Sequence, residues 1–324
     1  MNLSILNNRD FKYIIFVIIY SYVYIYVIPW VDIKEFTDID NYLSRIIYLQ
    51  RGGKERIVTG ISVLFDEGLW KFILLKISLF SRASYEEYLY IVSLISLSTY
   101  TFYTVKKINP LILLFFFFNP MFIDLIMGQI RIALSFSLLF IAFEINKNKL
   151  SIFLVVIAVF IHSASLLLLL IYFLLVKGYS IFSERKYYLY AIFLALILAI
   201  LLKYGVDIIL IAVEDKRANY SSIIKSNSVA YSIFWFLITL ILLIKVKIQD
   251  SKTNILVAFS MTMMSLFFFS SVIGEYGQRY VAISIPLIII AINNLPKYYK
   301  ESTYIMFGFY QMLQLVYWTE FYII

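Results

Sequence analysis

Residues 150–176 read LSIFLVVIAVFIHSASLLLLLIYFLLV, a run with no Asp, Glu, Lys or Arg and with one histidine near its middle. A helix that crosses a bilayer needs about 20 mostly apolar residues, so this run is long for one crossing and short for two. The flanking charges decide how it is read. Cytoplasmic loops of membrane proteins are enriched in Lys and Arg. With Arg9 and Lys12 on the cytoplasmic side, the basic clusters at 106–107, 147–149, 245–252 and 297–300 share that side only if 150–176 enters the membrane and returns. The same arrangement places Lys177, Arg185 and Lys186 there; a single pass would send the later clusters outward. The reading is therefore a broken hairpin with His162 and Ser163 near its tip, a geometry tolerated at membrane depth only where protein lines it.

Outward from this run the pattern repeats. Apolar stretches of span length occur near 11–31, 86–105, 109–126, 128–145, 187–203, 231–247, 254–273, 280–296 and 302–324. Residues 61–81, ISVLFDEGLWKFILLKISLFS, mix Asp66, Glu67, Lys71 and Lys76 into an apolar background, which suits an interfacial or partly inserted helix. No small-residue cleavage site follows the first apolar run, so it reads as a transmembrane helix. The chain is 62% hydrophobic and only 15% charged, against roughly a quarter charged in soluble domains. The expected fold is one all-α, polytopic transmembrane bundle over 1–324, with about 9 to 11 spans. The segments 32–60 and 204–230 become outer loops over a cavity open sideways to lipid.

Several chemistries are excluded outright. There is no cysteine and only one histidine, which removes Cys-based zinc sites and multi-histidine metal centres. No glycine-rich nucleotide loop is present, and the net charge of +8 resides in the loop clusters, so it marks topology and not nucleic acid. Asp38-Ile39-Asp40 has the form of a metal-binding acidic pair, but it lies in the segment expected to face outward, where no nucleotide sugar is available. No cofactor is expected.

The ionisable groups within apolar segments carry the functional reading, because charge at that depth is costly. Arg131, in MGQIRIALSFSLLF, either snorkels to the outer interface or contacts an anion in a polar cavity. Arg279, in GEYGQRYVAIS, either pairs with nearby Glu275 or does the same. Two arginines in one cavity suit a diphosphate, whose oxygens guanidinium grips bidentately. His162 either bonds a neighbouring carbonyl or takes a proton from a sugar hydroxyl; Ser163 and Ser165 beside it read as packing residues. The segment EFTDIDNYLSRI adds Asp38, Asp40, Tyr42 and Arg45, and EDKRANYSSIIK (214–225) either caps the cavity or is solvated surface.

These segments together resemble the EpsG family. TDIDNY resembles the family's Asp-x-x-x-Tyr signature after the first span, and DEGLW its acidic segment before an amphipathic helix. GQIRIALSFSLLFIAF, followed by NKNK, is similar to its arginine helix and Lys-rich turn. AVFIHSASLLLLL resembles its histidine segment, and QRY its late arginine. Two positions depart from the pattern: Phe36-Thr37 stands where the family has Gly before the Asp, and Ile132 where it has Gln after the Arg.

The resemblance implies a relative of the Wzy-type polymerases, with a GT-C-like polymerase architecture, that joins undecaprenyl-diphosphate-linked oligosaccharides on the outer face of a bacterial inner membrane, N-terminus cytoplasmic. On that reading Arg131 and Arg279 stabilise the leaving diphosphate without a metal. His162 is the base, with Asp38 or Glu67 as the alternative. Tyr42, Arg45, Glu67, Gln129, Arg217, Tyr220, Glu275, Gln278 and Tyr280 line the substrate. Donor and acceptor are both lipid-linked. A Wzz-type chain-length regulator and a flippase are the expected protein partners. The rival readings are an O-antigen ligase, a flippase and a polysaccharide acyltransferase. No internal symmetry of the kind a flippase shows is visible, nor the arginine-rich donor motif of the acyltransferases.

Overall fold

The computed structural model describes residues 8–36, 38–53, 67–80, 85–145, 148–212, 229–247, 250–274 and 277–322. The described residues are helical with short turns, and none is in a strand. The chain divides into two compact units, residues 1–166 with 313–324, and residues 167–312.

The first unit begins with α1 (Asn8–Tyr22), which widens into a π-helical turn at Val23–Val27. The segment expected to be a plain outer loop contains a helix, α2 (Ile39–Gln50). Its buried residues Ile39, Tyr42, Ile46 and Leu49 recur at helical spacing along one face, a periodicity visible in the sequence. A short helix α3 (Gly68–Ser78) packs on α2. Lys34, in the turn before α2, pairs with Glu86 at 2.7 Å; this hydrogen bond, with the charges of Glu86 and Asp32, holds its ammonium above the ordinary lysine value.

Helix α4 (Tyr85–Val105) crosses the unit. The apolar run expected as one span over 109–126 is instead two helices, α5 (Pro110–Phe117) and α6 (Pro120–Met127), bent by 80°. The cause is local. Each begins with Asn-Pro: Asn109 and Asn119 accept a hydrogen bond from the backbone two residues on, and proline occupies the first helical position. The second such start stops α5 before it can become a span. Tyr24 donates from its hydroxyl to the Phe117 carbonyl at 2.8 Å, satisfying an acceptor the break exposes.

Helix α7 (Ile130–Glu144) runs parallel to α4: Tyr100 reaches the Ala133 carbonyl, and Lys107 pairs with Glu144 at 2.6 Å where both helices end. The bent pair α5–α6 must therefore carry the chain back along the length of α7, about 22 Å for its 15 residues. It is a broken crossing. Helix α8 (Asn148–Ile161) is antiparallel to α7, because Ser151 bonds the Ala142 carbonyl and Ser135 the Ala158 carbonyl. The helix then breaks over residues 162–164, at the anticipated His162, and α9 (Ser165–Ile181) begins.

In the second unit α10 (Glu184–Ala212) and α12 (Ser251–Val272) run parallel, joined by Tyr188 to Asn254 near their starts and by Lys203 to the Ile273 carbonyl near their ends. Helix α10 takes up the first part of the loop expected at 204–230; residues 213–228 lie outside the described ones. Helix α11 (Val229–Lys245) runs antiparallel to α10, Arg185 meeting the Leu243 carbonyl. Helices α13 (Gln278–Asn293) and α14 (Lys297–Tyr322) complete the chain.

Among the described residues, three stretches are by themselves long and apolar enough to cross a membrane, 85–105, 185–205 and 251–272, and the bent pair makes a fourth. Five further apolar helices among the described residues, 11–27, 149–161, 165–181, 229–245 and 278–293, have 10–17 residues. This is a helical membrane protein whose crossings are frequently broken.

Candidate active site

The antiparallel pairing of α7 and α8 brings the start of one helix level with the end of the other. Arg131 sits in the first turn of α7 and His162 just past the end of α8. Glu67, immediately before α3, lies between them. Its Oε1 is 2.6 Å from His162 Nδ1, and its Oε2 accepts from Arg131 Nη1. The Ser163 backbone N–H and hydroxyl lie 3.4 and 3.5 Å from the same Oε1. One carboxylate thus bridges an imidazole and a guanidinium.

The cluster is enclosed but graded. The Glu67 and His162 side chains are 9% and 10% exposed, whereas Arg131 keeps 22%, so the guanidinium is the most accessible of the three. The backbone of Glu67 has φ 53°, in the left-handed region, which costs a non-glycine residue roughly 1–2 kcal/mol. The fold holds this carboxylate against a local preference, and such outliers concentrate at functional sites.

Tyr42 stands over the cluster from α2, its ring centre 5.8 Å from the Arg131 guanidinium carbon. Trp70, one turn into α3, packs edge-on against Tyr42 with ring centres 5.2 Å apart. Two buried donors here have no hydrogen-bond partner among the described residues: Arg131 Nε and Trp70 Nε1. Buried polar groups are nearly always satisfied, so each of these N–H groups calls for an acceptor.

The other expected site residues take varied positions. Asp38 is half-buried at the start of α2, also with a left-handed backbone, one turn before Tyr42. Arg45 follows Tyr42 on α2 and is half-buried. Gln129 is 2% exposed, and its amide donates to Asp124 at 2.5 Å in the turn before α7. Arg279, Gln278 and Tyr280 form the first turn of α13 in the second unit, all half-buried. Gly277, before that turn, lies where an added Cβ would be 2.9 Å from Ser270 Cβ and 3.0 Å from Phe267 Cα, so α13 starts in close contact with α12. Arg217, Tyr220 and Glu275 lie outside the described residues.

Sequence reasoning named Glu67 as the alternative base and passed over Trp70 and Asp124. Asp124 is a lone acid in the apolar run NPMFIDLIMGQ; an intramembrane acid is a signal in itself. Trp70 carried no signal among so many aromatics.

Fold and cluster together define a helical membrane protein with a charged, enclosed site at one end of a helix pair, remote from the Lys107–Glu144 end. The chain belongs to the EpsG family, whose model matches residues 12–324. This is a Wzy-type-polymerase-like family, and its membership fits a membrane protein of polysaccharide biosynthesis. No curated protein and no solved structure matches the chain.

Proposed function

We propose that this chain polymerises lipid-diphosphate-linked oligosaccharide repeat units into a surface polysaccharide. The observation that carries the reading is the convergence of Arg131 and His162 on one enclosed carboxylate. Membership of the EpsG family supports the reaction class. The donor is a growing glycan on undecaprenyl diphosphate, and the acceptor is a sugar hydroxyl of a second lipid-linked repeat.

In the step, the acceptor oxygen bonds to the donor's anomeric carbon while the bond from that carbon to the diphosphate oxygen breaks. The hydroxyl proton passes to His162, and the lipid diphosphate leaves with the bonding electrons. Charge on the leaving oxygen grows through the transition state, and a fixed cation aimed at it lowers the barrier. Arg131 fills that role: the free Nε–H adds a donor to the one now on Glu67. Asp38, Tyr42, Arg45 and Trp70 are the groups near which sugar and phosphate would lie.

The basic loops support a site on the outer face of a bacterial inner membrane, with the N-terminus cytoplasmic, because Lys and Arg are enriched on the cytoplasmic side. A Wzz-type chain-length regulator and a flippase would then be its partners. Deletion and complementation test the whole reading. Surface polysaccharide stopped at one repeat, with its ladder restored by the wild-type gene but not by Arg131→Ala, is the expected result. Loss of every repeat would favour a flippase or ligase instead, and an unchanged ladder a modifying enzyme.

A further inference from the structure

We propose that Glu67 is a positioning residue whose two carboxylate oxygens hold His162 for proton transfer and park Arg131 until a diphosphate displaces it. The inference rests on the reading above and assigns the site a substrate-coupled control.

The two oxygens have separate duties. Oε1 meets His162 Nδ1 at 2.6 Å, with Ser163 N–H and Oγ near the same oxygen. A carboxylate at Nδ1 fixes the proton on that nitrogen and leaves Nε2 as the lone-pair nitrogen that can take a proton from a hydroxyl. Oε2 holds Arg131 Nη1. The guanidinium cannot give that donor to Glu67 and to a phosphate oxygen together.

Arg131 and His162 thus share one carboxylate. Arg131, the most open member at 22% exposed, is the one an entering diphosphate reaches. A diphosphate carries more charge than a carboxylate and accepts bidentate guanidinium bonds, so it draws Arg131 away. The Oε1 contact of Glu67 with His162 then stabilises the imidazolium that forms as the acceptor proton arrives. Donor binding and base activation become one event. A repeat unit that enters without its diphosphate meets a base still sharing its counter-charge with Arg131, which suppresses idle hydrolysis of bound glycan.

Two measurements on the full chain in lipid nanodiscs test this. The first compares wild type with Glu67→Gln, using farnesyl diphosphate as the binding probe and lipid-linked repeats for turnover. Glutamine keeps the shape but not the charge. Turnover is expected to fall by about 10²–10⁴, while the probe binds about tenfold tighter, as it would if only about a tenth of the wild-type population had Arg131 released. A residue with a merely structural part would lose both together. Equal or weaker probe binding by Glu67→Gln, or unchanged turnover, overturns the proposal. Failure of the wild type to bind the probe at all would instead overturn the diphosphate reading of the site.

The second needs no variant. His162 is the only histidine, so protein labelled with ¹⁵N-histidine and purified through a tag without histidine gives one imidazole signal. The proton is expected on Nδ1 without ligand, and the signal should shift when farnesyl diphosphate is added. A neutral ring protonated at Nε2 would overturn the positioning role whatever the probe does.

Discussion

Arg131→Ala separates a working cation from a structural strut. Arg131 is one of the groups that meet Glu67; His162 and Ser163 meet it as well when the guanidinium is removed. Removing one member of a buried ion pair costs about 3–5 kcal/mol when the remaining charge is stranded. Here Glu67 keeps its imidazole contact and Arg131 was already 22% exposed, so solvent screening reduces the loss to about 1–2 kcal/mol. The protein should therefore remain folded and inserted. Catalysis should suffer far more. Loss of one pre-aimed donor to a developing oxyanion costs about 10²–10³ in turnover, or roughly 2.7–4 kcal/mol of barrier.

The assay is turnover of lipid-linked repeats by purified variant in nanodiscs, beside a thermal unfolding curve of the same sample. Arg131→Lys, which keeps a charge but loses the fork geometry, should recover part of the rate. The decisive comparison is between the two readouts. A lost strut lowers the unfolding midpoint and turnover together, whereas a lost leaving-group cation lowers turnover in a protein whose midpoint falls only slightly. Wild-type turnover from a folded Arg131→Ala protein would refute the assignment.

Other tests address separate parts of the structure. His162→Gln should lower turnover by about 10²–10⁴ while leaving apparent donor affinity nearly unchanged; normal turnover would remove the histidine from the base role. Gly277→Ala forces a methyl against the α12 backbone at Phe267 and should destabilise the protein by about 1–3 kcal/mol, measured by thermal unfolding; an unchanged midpoint would refute the close approach. The chain has no cysteine, so single cysteines report sidedness cleanly. Gly68→Cys should label from outside, whereas Lys149→Cys and Ser180→Cys should label only from the cytoplasmic side. External labelling at 180 would overturn the topology.

Much of the fold was legible because membrane insertion is a local matter. Whether a run of about 20 residues can cross depends on its own side chains, and most apolar runs read from the sequence recur as helices within a few residues of the expected bounds. Breaks are local too. His162–Ser163 was identified as one, and the second Asn-Pro pair at 119–120 carried the signal for the other, though a continuous apolar run concealed it. The helix α2 was readable from its buried periodicity but was masked by the charges between those positions.

The site is another matter. Arginine and histidine stood out singly, because ionisable groups in apolar segments are costly and need a reason. That both converge on Glu67 was not written in either neighbourhood: Glu67 lies 64 residues from Arg131 and 95 from His162 in the chain. The meeting depends on α8 running antiparallel to α7, on the broken α5–α6 crossing that makes α7 parallel to α4, and on α3 packing at the end of α8. Those are choices of tertiary packing. The sequence by itself determined which groups needed partners, and only the assembled helices decided that they share one.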